Sequence, residues 1–288
     1  MTTDIQRVGV VGCGLMGAGI AETAVRSGLD TIVCEASLAA CEAGEKRVRA
    51  SLERGVRAGK ITTGDADQAL ARLRFTADFA DFADVQLAIE AVTESEHEKK
   101  SVFAALDDAI VDPDAILASN TPSIPIMKLA MATRRPEQVI GLHFFNPVPV
   151  LRLVEVVPSL LTSVATIAST ERIATGALGK RVVRSQDRAG FVVNALLIPY
   201  LLSAVRMLES GFATADDIDA GMVEGCAHPM GPLALTDLIG LDTTMAVAES
   251  LYEEFKEPLY APPPMLSRMV EAGLLARKTG RGFYSYSR

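Results

Sequence analysis

The sequence is poor in metal-binding residue types and in positive charge. It has three histidines and four cysteines among 288 residues. The cysteines, Cys13, Cys34, Cys41 and Cys226, show no metal-ligand spacing, so we expect reduced thiols and no bound metal. Lysine and arginine total 28 against 36 acidic residues, a net charge of -8. This balance argues against nucleic acid or an anionic membrane surface as the main partner.

Targeting and membrane signals are also lacking. The opening MTTDIQRVGVVG runs into an apolar strand without the basic region, apolar core and cleavage site of a signal peptide, so we expect a cytoplasmic protein. One membrane-like run spans residues 191 to 208, FVVNALLIPYLLSAVRML. It is interrupted by Asn194, Pro199, Ser203 and Arg206. We interpret it as a buried helix of a protein core.

Strand and helix signals alternate through the first half of the chain. Strands are indicated by RVGVVG, DTIVCE, RLRFT, VQLAIEAV and AILAS, with helical segments among them. This rhythm predicts an α/β fold with a Rossmann-type, doubly wound, mostly parallel sheet and helices on both faces. HFF and LVEVV predict a hairpin near the sheet edge, and KRVVR at 180 to 184 the last strand.

Helical segments follow one another in the second half. They cover residues 190 to 210, 214 to 226, 231 to 256 with a break near Gly240, and 264 to 273. We therefore predict two domains: a dinucleotide-binding domain at 1–185 and an all-helical domain at 186–288. Two domains also offer a cleft for a ligand.

A glycine-rich loop, GCGLMG, follows the first strand and opens a helix. Gly12, Gly14 and Gly17 fit the G-x-G-x-x-G pattern, which lets the backbone approach a pyrophosphate at a helix N-terminus. The second strand ends in Glu35, 23 positions after Gly12, where a carboxylate binds ribose hydroxyls and repels a 2′-phosphate. We predict NAD rather than NADP. A loop that serves only a tight turn, or that binds FAD, is the alternative.

The predicted hairpin carries a histidine and a glutamate. If the chain reverses about Pro149, His143 and Glu155 lie opposite each other with Cβ atoms roughly 5 Å apart. A carboxylate beside an imidazole fixes its tautomer and favours its protonated form, as a general acid or base requires. A structural salt bridge or a satisfied core histidine fits these two residues equally well.

Seven motifs occur in one order: GCGLMGAGIA, SNTPS, HFFNPVPV, GFVVN, HPMGP, GLDT and KTGRGFY. In these the sequence resembles the L-3-hydroxyacyl-CoA dehydrogenase family along essentially its whole length, especially the short bacterial 3-hydroxybutyryl-CoA dehydrogenases. The resemblance implies NAD-dependent oxidation of an (S)-3-hydroxyacyl-CoA, or the reverse reduction, in a cleft between the domains. It also implies a homodimer formed mainly through the helical domain.

The resemblance assigns roles to individual residues. His143 exchanges the substrate proton, Glu155 orients its ring, and Asn194 polarises a substrate oxygen unless it only makes an interhelical hydrogen bond. The implied cofactor contacts are Gly12, Gly14, Leu15, Met16, Gly17, Glu35, Glu94, Lys99, Asn120, Asn146 and Lys278. The implied substrate contacts are Ser51, Lys60, Ser119 and Asn194.

Several of these charged positions also have a plainer interpretation. Glu94 and Lys99 fit solvated helix charges, and the basic stretch at 46–60, which borders the CoA site in the family, fits a solvated helix face. Of the other histidines, His97 is expected to be exposed on a charged helix and His228 to be structural, in a turn of the helical domain.

One position departs from the family pattern. The family usually has S-N-T-S-S where this chain has SNTPS, so Pro122 replaces a serine and removes both a hydroxyl and a backbone N–H. We expect Thr121, Ser123 or water to replace the missing hydroxyl. Otherwise the substrate or the rate differs from the family norm. Two alternative functions follow: the same chemistry on an acyl-carrier-protein substrate, or an NAD-binding protein with impaired turnover. β-Hydroxyacid dehydrogenases with a similar loop use a catalytic lysine instead.

Overall fold

The computed structural model describes residues 5–286. The strands within that range are β1 (Arg7–Val11), β2 (Asp30–Cys34), β3 (Leu73–Thr76), β4 (Leu87–Glu90), β5 (Ile116–Ser119), β6 (Val139–Phe144), β7 (Leu153–Pro158) and β8 (Arg181–Arg184). They form one sheet in the order β3-β2-β1-β4-β5-β6-β7-β8. All neighbours run parallel except β6 and β7, which are antiparallel. The predicted doubly wound sheet, with its hairpin near one edge, is confirmed.

Eleven α-helices lie in the described range. They are α1 (Leu15–Arg26), α2 (Leu38–Arg57), α3 (Thr63–Ala71), α4 (Glu96–Ala109), α5 (Ile126–Ala130), α6 (Val164–Thr175), α7 (Val193–Glu209), α8 (Ala215–Cys226), α9 (Pro232–Ile239), α10 (Leu241–Phe255) and α11 (Pro264–Glu271). Side-chain caps start several of them: Ser37 accepts a hydrogen bond from Ala40 N before α2, and Thr62 and Asp65 form a capping box at α3.

The central strands owe their position to their composition. β4 and β5 are buried at every residue, and both are short apolar runs that end in one polar residue. Strands covered on both faces by helices have this unbroken apolar pattern, since neither face meets water. The polar residues, Glu90 and Ser119, therefore lie at the carboxyl edge of the sheet.

The chain divides into two compact units, Met1–Asp187 and Arg188–Arg288. The predicted boundary lies two residues earlier, after residue 185. The first unit contains the whole sheet, and its core is formed by strand side chains and the buried face of α1. The second unit is helical, and its core is formed by side chains of α7, α9, α10 and α11 with others around them.

The membrane-like run forms α7, so its assignment to a helix is confirmed. Its placement in a protein core is also confirmed, although one face of the helix is exposed. Leu201 and Val205 are buried in the helical core, whereas Leu196 is 74% exposed and Met207 41% exposed on the other face. Arg206 donates hydrogen bonds to backbone carbonyls of residues 258, 259 and 261. No helix among the described residues is both long and apolar enough to cross a membrane.

Candidate active site

His143 and Glu155 form a buried pair on the hairpin of the first unit. They are direct partners in the β6–β7 register, which confirms the predicted reversal about Pro149. His143 Nδ1 lies 2.7 Å from Glu155 Oε2. An ionised carboxylate can only accept, so Nδ1 carries the proton and the imidazole tautomer is fixed. Glu155 is fully buried and His143 is 6% exposed, so the pair is held in one geometry.

The turn between these two strands is held from outside the hairpin. The buried Lys180 Nζ donates to the Leu151 carbonyl at 2.8 Å and also to the Val148 carbonyl. A Cβ on Gly19 of α1 would lie 2.9 Å from Val148 Cβ, so α1 packs against the turn where only a glycine fits. The pKa of Lys180 is lowered by burial and by Arg26. Sequence reasoning missed Lys180 because its acceptors are carbonyls 29 and 32 residues away.

The glycine loop has the shape that a pyrophosphate requires. Gly12 has a φ of +85°, a left-handed value that favours glycine. A Cβ on Gly17 would lie 1.8 Å from the Gly12 carbonyl oxygen, whereas a Cβ on Gly14 would meet nothing within 4 Å. The second glycine therefore faces open space, as expected where backbone approaches a phosphate. Leu15 and Met16 begin α1, and no side chain caps that helix.

Glu35 lies at the same loop, one residue past β2. Its Oε1 accepts a hydrogen bond from Cys13 N at 2.5 Å. A cavity of about 550 Å³ opens here. Its lining includes Gly12, Cys13, Gly14, Glu35, Ala91, Val92 and Thr93. Burial, with the nearby Glu35 carboxylate, raises the pKa of the Cys13 thiol to about 12, so the thiol stays protonated at neutral pH.

Glu94 and Lys99 are brought together, and Lys99 is not a solvated charge. Lys99 is 1% exposed, and its Nζ lies 3.3 Å from Glu94 Oε2 and 2.6 Å from Glu90 Oε1. The interpretation of Lys99 as a solvated charge on an exposed helix face is therefore wrong. Sequence reasoning missed Glu90; the available signal was one acidic residue at the end of an apolar strand.

The SNTPS segment packs against the same carboxylates. Ser119 is fully buried, and its hydroxyl donates to Glu90 Oε2 at 2.6 Å and accepts from Thr121 N at 3.2 Å. Thr121, also fully buried, donates to Glu94 Oε1 and accepts from Ser123 N and Ile124 N. The Thr121 hydroxyl already has three partners, so of the groups expected to compensate for Pro122 the structure favours Ser123 or water.

The two asparagines predicted near the nicotinamide differ in solvent exposure. Asn120 is buried, and its Oδ1 accepts a hydrogen bond from Phe144 N at 2.8 Å. It thus ties the end of β5 to the residue after His143. Asn146 is exposed in the turn after β6.

The basic stretch at 46–60 forms the later part of α2 and the turn after it. Ser51 is partly buried on α2, and Lys60 is exposed beyond its end. Arg49 pairs with Glu45 at 3.1 Å, one helical turn away, whereas Arg47 Nη1 donates to the Cys13 carbonyl. Most of this stretch is a solvated face, and Arg47 is the basic residue that reaches the glycine loop.

In the helical unit the structure joins two of the seven motifs. Lys278 of KTGRGFY pairs with Asp242 of GLDT, with Nζ 2.7 and 2.8 Å from its two oxygens. Asn194 of GFVVN is the second residue of α7 and is partly buried. His97 is exposed on α4, as expected. His228 lies in the expected turn, with Nδ1 3.2 Å from Tyr200 Oη.

Family models and known proteins match the chain along its length. Residues 7–188 match the model "3-hydroxyacyl-CoA dehydrogenase, NAD binding domain", and residues 190–286 match "3-hydroxyacyl-CoA dehydrogenase, C-terminal domain". The chain belongs to the 3-hydroxyacyl-CoA dehydrogenase family. A 3-hydroxybutyryl-CoA dehydrogenase of Mycobacterium tuberculosis is 59% identical over 286 residues, which cover 99% of this chain and 100% of the relative.

Two solved structures extend this similarity to the fold. FadB2 of M. tuberculosis matches with a TM-score of 0.97 at 59% identity, over 99% of this chain and 100% of that one. The (S)-3-hydroxybutyryl-CoA dehydrogenase PaaH1 of Ralstonia eutropha matches with a TM-score of 0.91 at 44% identity, with the same coverage. The chain thus has the NAD-binding domain of this family, and its open Gly14 and the carboxylate of Glu35 fit NAD.

Proposed function

We propose that this protein is an NAD-dependent dehydrogenase that oxidises (S)-3-hydroxyacyl-CoA, with 3-hydroxybutyryl-CoA as substrate, or catalyses the reverse reduction. The observation that carries the proposal is the His143–Glu155 pair, joined at 2.7 Å on a hairpin of the same unit as the glycine loop. NAD, when bound, would supply the acceptor for the hydride that leaves carbon 3 of the substrate. Family membership and the relatives' printed activity support this substrate class.

The dyad supplies the proton transfer. Because Nδ1–H is held by Glu155, His143 uses Nε2 to take the hydroxyl proton during oxidation and to return it during reduction. The buried Glu155 carboxylate stabilises the imidazolium that forms, as the acid does in a Ser-His-Asp arrangement. We further assign Asn194 to polarise the substrate oxygen.

The remaining assignments follow the same proposal. Gly12, Gly14, Leu15, Met16 and Gly17 would hold the pyrophosphate and Glu35 the adenosine ribose. The nicotinamide half would contact Glu94, Lys99, Asn120, Asn146 and Lys278. CoA would contact Ser51 and Lys60. The buried hydroxyl of Ser119 already bonds with Glu90 and Thr121 N. We therefore assign Ser119 to hold the segment beside the substrate.

Assembly and location complete the proposal. We propose a homodimer formed through the helical unit, with residues 1–185 as the cofactor domain and 186–288 as the substrate and dimerisation domain. The exposed apolar face of α7 supports this assembly. A cytoplasmic location is supported by four cysteine thiols that form no disulfide.

The test is NADH oxidation with a series of 3-ketoacyl-CoA thioesters of increasing chain length. We expect turnover with acetoacetyl-CoA and a lower kcat/KM for long chains. Inhibition by free CoA should be competitive, because the CoA moiety supplies recognition. Turnover only with acyl-carrier-protein thioesters, unaffected by CoA, would contradict the proposed carrier. Absence of turnover with every thioester, despite bound NADH, would indicate the NAD-binding protein without activity.

A further inference from the structure

Lys180 is a buried cation that contacts the turn of the β6–β7 hairpin. It is 8% exposed and lies directly before β8. Its Nζ donates hydrogen bonds to the Leu151 carbonyl at 2.8 Å and to the Val148 carbonyl. The backbone beside it is attached to the same turn, since Arg181 N donates to the Arg152 carbonyl at 2.7 Å. Removing an ammonium group from water is costly, so the two carbonyls must stay in place to stabilise it.

The turn that Lys180 contacts is compact and lies close to the acid–base pair. Val150 N and Leu151 N both donate to the Pro147 carbonyl, at 3.0 and 2.9 Å. His143 is the residue before the last one of β6, and Glu155 is the third residue of β7. A displacement of the turn therefore acts on the strand ends that carry the pair.

The same turn also contacts the helix that starts at the glycine loop. That helix, α1, begins at Leu15, and a Cβ on Gly19 would lie 2.9 Å from Val148 Cβ and 3.5 Å from Pro149 Cδ. Val148 is 1% exposed. Its side chain packs on α1 while its carbonyl accepts the hydrogen bond from Lys180. The glycine loop and the hairpin are thereby joined through Val148.

We propose that Lys180 is a positioning residue for catalysis, which holds the turn against α1 and so sets the position of His143 relative to a cofactor bound at the glycine loop. This inference rests on the proposed function. The reacting atoms of the cofactor, the substrate and the imidazole must be in place together, and a misplacement of about 1 Å can lower the rate roughly 10²-fold. Lys180 acts through the turn, because its hydrogen bonds go to turn carbonyls.

The test compares Lys180→Met with the parent as full-length proteins. The enzyme–NADH complex is mixed with saturating acetoacetyl-CoA, and the fluorescence of the bound NADH is followed by stopped flow. Methionine fills a similar space but donates no hydrogen bond. We expect the rate constant for loss of bound NADH to fall roughly 10- to 100-fold. The Kd for NADH should stay within about twofold of the parent value, because the glycine loop and Glu35 are left intact.

The rate constant and the amplitude distinguish positioning from a general loss of fold. A partly unfolded sample contains fewer competent complexes, so the amplitude falls while the rate constant of the remaining complexes is unchanged. An unchanged rate constant, or an NADH affinity that falls in parallel with the rate, would overturn the proposal. The matched control is Lys100→Met on α4. Lys100 is 41% exposed and pairs with Glu96, so this rate constant should stay within about twofold.

A second variant covers failure of Lys180→Met to fold. Gly19→Ala adds a Cβ that displaces the turn from the side of α1, and alanine is the better helix former. Its rate constant at saturating NADH should also fall. A folded Gly19→Ala protein with the parent rate constant would overturn the proposal. A parent protein that binds NADH but turns over no thioester would refute the proposed function itself, and this result is seen before any variant is compared.

Discussion

Glu155 lies directly opposite His143 in the β6–β7 register, and its Oε2 accepts the hydrogen bond of His143 Nδ1 at 2.7 Å. If this pair transfers the proton, His143→Ala should lower kcat by roughly 10² to 10⁴. Glu155→Gln should lower it less, because the ring stays oriented while the imidazolium loses its counter-charge. Acetoacetyl-CoA reduction followed at the NADH absorbance measures both. His97→Ala, on exposed α4, is the control; near-normal turnover of His143→Ala would refute the role.

Glu35 should determine the preference for NADH over NADPH. A carboxylate at the end of β2 repels a 2′-phosphate, so Glu35→Ser should improve relative kcat/KM for NADPH by about 10-fold or more. The variant also loses the hydrogen bond that Glu35 accepts from Cys13 N, so its affinity for NADH should fall slightly. Glu45→Ala on the exposed face of α2 serves as the control. Unchanged discrimination would mean that Glu35 does not contact the ribose.

Pro122 should limit the rate. Thr121 is engaged by Glu94 and two backbone N–H groups, so no neighbouring threonine hydroxyl substitutes for the one that proline lacks. Pro122→Ser should therefore raise kcat/KM for acetoacetyl-CoA severalfold, since one contact to a transition-state oxygen contributes up to a few kcal/mol. An unaltered kcat/KM would show that residue 122 does not limit catalysis.

Asp107 should be a stability determinant with a defined pH dependence. Burial alone would raise its pKa, but hydrogen bonds from Arg134 and Arg135 outweigh burial and hold the pKa below its ordinary value. A lowered folded-state pKa stabilises the fold fully above the ordinary value of about 3.9, and this contribution is lost as pH falls through the folded value. Asp107→Asn should cost about 2–3 kcal/mol of unfolding free energy at pH 7.

The same difference should shrink at acid pH, because the parent carboxylate takes up a proton as the pH falls through its lowered pKa. Urea unfolding of both proteins at the two pH values measures it. Asp108→Asn is the matched control, because that neighbouring side chain is 77% exposed while pairing with Arg134, and it should change stability by under about 0.5 kcal/mol. Equal costs at both pH values would contradict the electrostatic origin.

The exposed face of α7 should contribute to a dimer interface. Leu196 is 74% exposed and Phe212, just beyond the helix, is 79% exposed. Leu196→Glu places a charge in that apolar surface and should convert the dimer to a monomer in size-exclusion chromatography with light scattering. Leu38→Glu, at a leucine 73% exposed on α2 of the first unit, should leave the mass unchanged. A monomeric parent would refute the proposed assembly.

Local sequence signals predicted most of the fold. The apolar runs, glycines and helix caps are properties of short segments, so the mostly parallel sheet, its hairpin and the helices after residue 186 could be predicted from the chain. The His143–Glu155 pairing was also predictable, because one short turn determines the register of a hairpin.

Long-range packing accounts for what was missed. Lys99 lies in the segment EHEKK, which has the composition of a solvated helix, yet it is buried and pairs with Glu90 of β4 and with Glu94. Lys180 reaches carbonyls 29 and 32 residues earlier in the chain. The residues next to Lys99 and Lys180 in the sequence do not indicate that either side chain is buried.

The sequence by itself determined the family, the βαβ rhythm and the acid–base pair, because each depends on local spacing or on ordered motifs. Only the tertiary structure decided which charges are buried and which hydroxyls are already engaged. Burial of a polar group depends on partners from distant segments that satisfy its hydrogen bonds, and sequence spacing does not record those partners.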